Sequence, residues 1–175
     1  GRMTDMSCSK TDCSQSVDLL NSSFEYNEGN LFQINNTAWT NGQIHVTMNN
    51  SSFLSQTGAV LKTSTDFAAN QVLSVVNSTF SSVSSDFGGV FSLSNPSTAS
   101  TITISLTDSH FIGCSANTGG VFWISAASSV VSLSSSQTSF NDSTVAFYGG
   151  SFYIEAKQFT MDMNHVTHDD TIASS

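Results

Sequence analysis

Charge is scarce in this chain. Only 10% of its 175 residues are Asp, Glu, Lys or Arg, where a typical domain carries about a quarter. Ser, Thr, Asn and Gln must therefore cover the surface. Cations are scarcer still. Four Lys and Arg stand against thirteen acids, for a formal net charge of −9. Arg2, Lys10, Lys62 and Lys157 cannot line a basic groove, which argues against nucleic-acid binding. The same sign disfavours docking to anionic membrane surfaces. No apolar run is long enough for a membrane-spanning helix. No ten-residue stretch has helical periodicity. The chain shows neither an initiator Met nor a signal-peptide pattern, so it reads as a mature product or a slice of a longer chain.

Against these absences stands a repeat. Gly29-Asn30-Leu31-Phe32, Gly58-Ala59-Val60-Leu61, Gly88-Gly89-Val90-Phe91, Gly119-Gly120-Val121-Phe122 and Gly149-Gly150-Ser151-Phe152 are versions of one phrase. Their first glycines follow one another at 29, 30, 31 and 30 residues. A second marker keeps step. Phe24, Phe53, Phe80, Phe111 and Phe140 each close a polar phrase such as Asn77-Ser-Thr-Phe80. Ahead of these phrases run alternating segments, including Ile44-His-Val46-Thr-Met48, Ile102-Thr-Ile104-Ser-Leu106 and Val131-Ser-Leu133. A later one, Phe159-Thr-Met161-Asp-Met163, lacks its Phe partner. Alternation with β-branched residues is the strand pattern, and the glycine phrases mark corners.

Two markers held at one long period point to a solenoid rather than a β-sandwich, whose strands recur every 8–12 residues. The expectation is an all-β chain forming one parallel β-helix of about five to six coils, roughly 30 residues each. Phe32, Leu61, Phe91, Phe122 and Phe152 should form one interior ladder, and Phe24 through Phe140 another, with rungs about 4.8 Å apart. The expected division is a polar entry segment at 1–16 holding a Cys pair, the helix at 17–163, and a polar tail at 164–175.

Six Asn-x-Ser/Thr sequons occur, at Asn21, Asn35, Asn49, Asn50, Asn77 and Asn141. Asn21, Asn50 and Asn77 share the slot three before the marker Phe, with Asp108 and Gln137. That slot reads as an inward hydrogen-bonding ladder at a turn, where a sugar has no room. Glycosylation is therefore expected at Asn35, Asn49 and Asn141. Cys8 and Cys13 are candidates for a small disulfide loop pinning the entry segment. Cys114 reads as a buried, unreactive thiol; a nucleophilic role needs a base, and His110 is its only neighbour by register.

The acids show no slot occupied on consecutive coils, which argues against a hydrolase built on paired carboxylates. No catalytic residue, cofactor or metal is expected. His165 and His168, followed by Asp169 and Asp170, read as a polar terminus rather than a metal site. Trp123 and Tyr153 occupy one outward slot and are the candidate contact for a sugar or a partner.

The run Phe111-Ile-Gly-Cys-Ser-Ala116-Asn-Thr-Gly119-Gly120-Val121-Phe122 resembles the repeat of the polymorphic outer-membrane protein family. Asn77-Ser-Thr-Phe80 with Gly88-Gly89-Val90-Phe91 resembles it again. Related pectin-lyase-like repeats occur in extracellular adhesins. The resemblance spans about 17–163 and implies a right-handed β-helix with a surface or adhesive role. Cys114 stands where that repeat usually has a turn Asn, and Gly58-Ala59 and Gly29-Asn30 are degenerate copies. No family catalytic residue maps here.

These readings make the chain a non-catalytic extracellular structural protein. It would be a repeat subunit of a secreted fibre or coat, associating head to tail with itself or with flanking repeats of a longer chain. The alternatives are a carbohydrate-binding adhesin module using Trp123 and Tyr153, and a degenerate polysaccharide lyase or hydrolase.

Overall fold

The computed structural model describes residues 4–6, 12–36, 41–65, 69–95, 99–169 and 172–173. They form a parallel β-helix in which every strand pairing is parallel. Each coil carries four faces. The first holds Phe32–Asn36, Leu61–Thr65 and Phe91–Ser94; the second holds Asp12–Leu20, Asn41–Asn49, Ala69–Val76 and Thr101–Thr107. In later coils both faces lie on one unbroken strand, Phe122–Ser136 and then Phe152–Asn164. Those long strands join the two faces into one ten-stranded sheet. A third face is a six-stranded sheet of three-residue strands from Ser23–Glu25 to Thr167–Asp169. The fourth contains Ser84–Phe87, Ser115–Thr118, Thr144–Tyr148 and Ile172–Ala173. Paired strands thus run past 17–163 at both ends.

Both expected ladders are present. Phe32, Leu61, Phe91, Phe122 and Phe152 are in register. So are Phe24, Phe53, Phe80, Phe111 and Phe140. Within the second ladder the rings lie nearly parallel, with centroids 4.8 Å apart for Phe53–Phe80 and 4.9 Å for Phe111–Phe140. Between ladders the rings meet edge to face, as in Phe80–Phe91 at 5.4 Å and 69°. Offset stacking and edge contacts are the geometries a ring quadrupole favours. The ladder gains a sixth member, His168, stacked on Phe140 at 4.8 Å.

The interior is apolar but not wholly so. On the second face, Gln71 takes the slot held by Ile44 and Ile102 on neighbouring coils. Buried there, its Oε1 accepts from Thr63 Oγ1 at 2.7 Å. That bond offsets the desolvation of the oxygen only, since among the described residues the Nε2 is buried with no partner.

Three left-handed bends turn each coil. One is the slot of Asn21, Asn50, Asn77, Asp108 and Gln137, with φ between 45° and 51°. The second follows five residues later at Tyr26, Ser55, Ser82, Gly113 and Asp142. The third is the glycine corner. Short polar side chains tolerate this backbone region best, which explains why the first slot alternates among Asn, Asp and Gln. Here the inward ladder expected of that slot is corrected. Asn21, Asn50 and Asn77 are exposed. They form an outward ladder, Asn50 Nδ2 donating to Asn21 Oδ1 at 2.6 Å and Asn77 Nδ2 to Asn50 Oδ1 at 3.0 Å. The bend turns the following residue inward instead. Ser51, Ser78, Ser109 and Thr138 are buried there. Each hydroxyl donates to the carbonyl two residues back, as Ser78 does to Val76 at 2.8 Å.

Gly88 shows what the glycine corner requires. Its φ is +59°, and an added Cβ would sit 2.0 Å from the Phe91 carbonyl oxygen. No side chain fits.

Candidate functional site

Cys114 faces inward with no exposed surface. Burial pushes its thiol up to about 12, far from the thiolate a nucleophile needs. His110 is exposed, and its Nδ1 lies 2.8 Å from Ser139 Oγ. The two residues point to opposite sides of the wall, so His110 is not placed to act as its base. Carboxylates stand beside neutral neighbours. Asp86 pairs with Asn117, Asp108 lies between Asn77 and Gln137, and Glu155 lies beside Ser125. Among the described residues no group of three or more His, Cys, Asp or Glu could hold a metal ion. His165 occupies the first corner slot, with φ 52°. His168 stacks inward on Phe140, and burial lowers its pKa from the ordinary 6.5.

The candidate glycosylation sites scatter. Asn35 is on the first face, where its Oδ1 accepts from Gln33 Nε2 at 3.2 Å. Asn49 is exposed at the end of its strand, and Asn141 is half-buried on the third face. Asn21, Asn50 and Asn77 are as exposed as Asn49, so the steric argument that set them aside does not hold. Cys8 lies outside the described residues; Cys13 sits on Asp12–Leu20, and the expected pairing lies outside the described residues with it.

What the fold does assemble is a strip along one edge. Trp123 and Tyr153 are in register on the first face. Phe87 and Tyr148 share a slot on the fourth, with Thr118 between them. The glycine corner separates the two pairs. Across it the Phe87 and Trp123 rings meet at 5.2 Å and 50°. The missing Cβ atoms make room, since one added at Gly149 would lie 3.0 Å from Tyr153 Cβ. Phe87 remains 50% exposed and Tyr148 68%.

Below Phe87 the strip continues as an open groove of about 600 Å³. Asn30, Lys62, Ser85, Asp86 and Phe87 line it, and its floor is the backbone of Gly29 and Gly58. Asn30 is held from two sides. Its Oδ1 accepts from the Ala59 amide at 3.1 Å, and its Nδ2 donates to Gln33 Oε1 at 3.2 Å. Sequence reading found Trp123 and Tyr153 but missed Phe87 and Lys62. Only the corner geometry joins those residues, although Phe87 could have been flagged as an apolar side chain in a polar run.

Comparison with family models, with curated proteins and with solved structures found no match.

Proposed function

We propose that this chain is a non-catalytic structural protein of an extracellular surface. It acts as a β-helical subunit of a fibre or coat in which one copy covers the end of another. The observation that carries the reading is the last full rung. Val131 and Leu133 are 0% and 2% exposed, whereas Phe159 and Met161, in the same slots one coil on, are 41% and 40% exposed. An apolar row beside a free strand edge is a template for another strand, and non-closing contacts of this kind build filaments. Flanking repeats of a longer chain would cover the same rung in the same way. The neutral neighbours of Asp86, Asp108 and Glu155 favour a structural role over a hydrolase or lyase. Glycans on Asn35, Asn49 and Asn141 fit a secreted, weakly charged surface.

Sedimentation of the full chain over a range of concentrations tests the reading. The wild type should associate, and the double variant Phe159→Asp, Met161→Lys should stay monomeric. A wild type that is monomeric throughout would sink it.

A second reading, glycan binding by an adhesin module, is favoured by one observation: exposed Phe87 packed against half-buried Trp123 beside an open groove.

A further inference from the structure

We infer that the groove and the aromatic strip above it form one binding site for a linear, neutral glycan lying along the helix axis. The inference rests on the glycan-binding reading and assigns it a place, a direction and a charge class.

The site has two halves joined at Phe87. The lower half mixes polar and apolar surface, with Asn30, Lys62 and Asp86 placed around Gly29, Gly58 and Ala59. The upper half is aromatic, with Trp123 and Tyr153 on one side of the corner and Phe87 and Tyr148 on the other. Sugars present that same pairing of surfaces. One face of a pyranose is a patch of C–H groups that lies on an aromatic ring, and its rim is a ring of hydroxyls. The hydroxyls need fixed donors and acceptors, which Asn30, Lys62 and Asp86 supply. A concave site with a few placed polar groups is the usual form of a ligand pocket.

The stacking of coils fixes the direction. Lys62, Ser92, Trp123 and Tyr153 occupy one outward slot on four consecutive rungs. Successive rungs lie about 4.8 Å apart, close to the advance of one sugar in an extended polymer. Ser92 is buried in that row, so a glycan along the axis would touch Lys62 on one side of it and Trp123 and Tyr153 on the other. A ligand running across the coils would leave the strip after one contact.

Charge selects the class. Asp86 lies in the groove, and Glu155 follows two residues after Tyr153, its carboxylate accepting from Ser125 Oγ at 3.3 Å. Among the described residues Lys62 is the one cation lining the groove. With a formal net charge of −9, the surface repels polyuronates and sulfated glycans. An apolar ligand would take water from Asn30, Lys62 and Asp86 and offer no hydrogen bond in its place.

The test is a titration of the full chain carrying Trp39→Phe, so that tryptophan emission reports Trp123. The probes are cellohexaose, mannohexaose and hexagalacturonate. At least one neutral probe should shift the emission and release heat, and hexagalacturonate should bind about tenfold more weakly or not at all. Trp123→Ala should weaken the neutral probe about tenfold, read by heat. Lys62→Gln, which leaves the aromatic strip intact, should weaken it about threefold. No binding of either neutral probe to the wild type removes both this site and the glycan reading. Neutral binding that survives Trp123→Ala and Lys62→Gln unchanged removes this site and leaves the reading standing. Preferential binding of hexagalacturonate overturns the charge class.

Discussion

The first and last rungs of the second face use the same slots and meet water differently. Gln15 and Val17 are 9% and 8% exposed on the first rung; Phe159 and Met161 are 41% and 40% exposed on the last. The register linking them is unbroken, through Ile44, Gln71, Ile102 and Val131 in one row and Val46, Leu73, Ile104 and Leu133 in the other. A slot therefore does not set its own burial. Its surroundings at each end do. In a solenoid each coil's stability comes largely from the coils that flank it, and an inward apolar residue at an open end is a hydrophobic residue without its cover. The polar Gln15 is buried at one end while larger apolar side chains are open at the other. The two ends meet water differently, and the proposed assembly would use the second.

The largest effect should come from the middle of the stack. Phe111 lies between Phe80 and Phe140, at 4.8 and 4.9 Å, with no exposed surface. Phe111→Ala should cost about 4 kcal/mol in urea unfolding. Phe159→Ala should cost about 1 kcal/mol, because that ring already meets water. Equal losses at the two positions would break the distinction between covered and open rungs.

Cys114 sharpens the same point at the level of one atom. Its Sγ lies 3.7 Å from the Phe80 carbonyl oxygen and 3.8 Å from that of Ile112. Cys114→Ser should destabilise the chain by about 2 kcal/mol, since a hydroxyl demands more from its partners than a thiol. In the folded wild type the thiol should resist iodoacetamide at pH 8 and react only on unfolding. Rapid labelling of the native chain would show that the middle coils open.

The smallest effect belongs to His168, on the outermost rung of the third face. The residue is exposed, and the partial burial of its ring holds its pKa below the ordinary 6.5. Above about 6.5 the ring is neutral in both states and its stacking on Phe140 contributes in full. As the pH falls from there through the lower folded-state value, the unfolded chain takes up the proton first and stability is lost. Melting curves from pH 7.5 to 5 should show a modest fall in Tm that His168→Phe abolishes. A rise in Tm on acidification would contradict the sign.

Most of the architecture was legible because two different residues, Phe and Gly, recur together at one period. The slots that misled were polar. Asn50 and Ser51 are neighbours in one phrase, and only the left-handed bend at Asn50 decides which of them faces in. Pattern supplies the period of a corner and not its hand. His165-Val-Thr-His168 is a sixth copy of the corner phrase, with a ring in the Phe position. It escaped notice because its letters differ, although its spacing of three residues matches Gln137 to Phe140. Gln71 breaks an apolar alternation and therefore reads as a surface residue, yet Thr63 satisfies its oxygen inside. The groove was the least legible feature. Lys62, Phe87 and Trp123 lie on separate strands, and their proximity is a product of the coil.

Hydrogen exchange at two protein concentrations tests most directly the proposal that another copy covers the exposed last rung. Amides in Phe152–Asn164 should gain protection as concentration rises, while those of Thr101–Thr107 stay protected throughout. Protection in Phe152–Asn164 that does not change with concentration, or a gain confined to Asp12–Leu20, would contradict it.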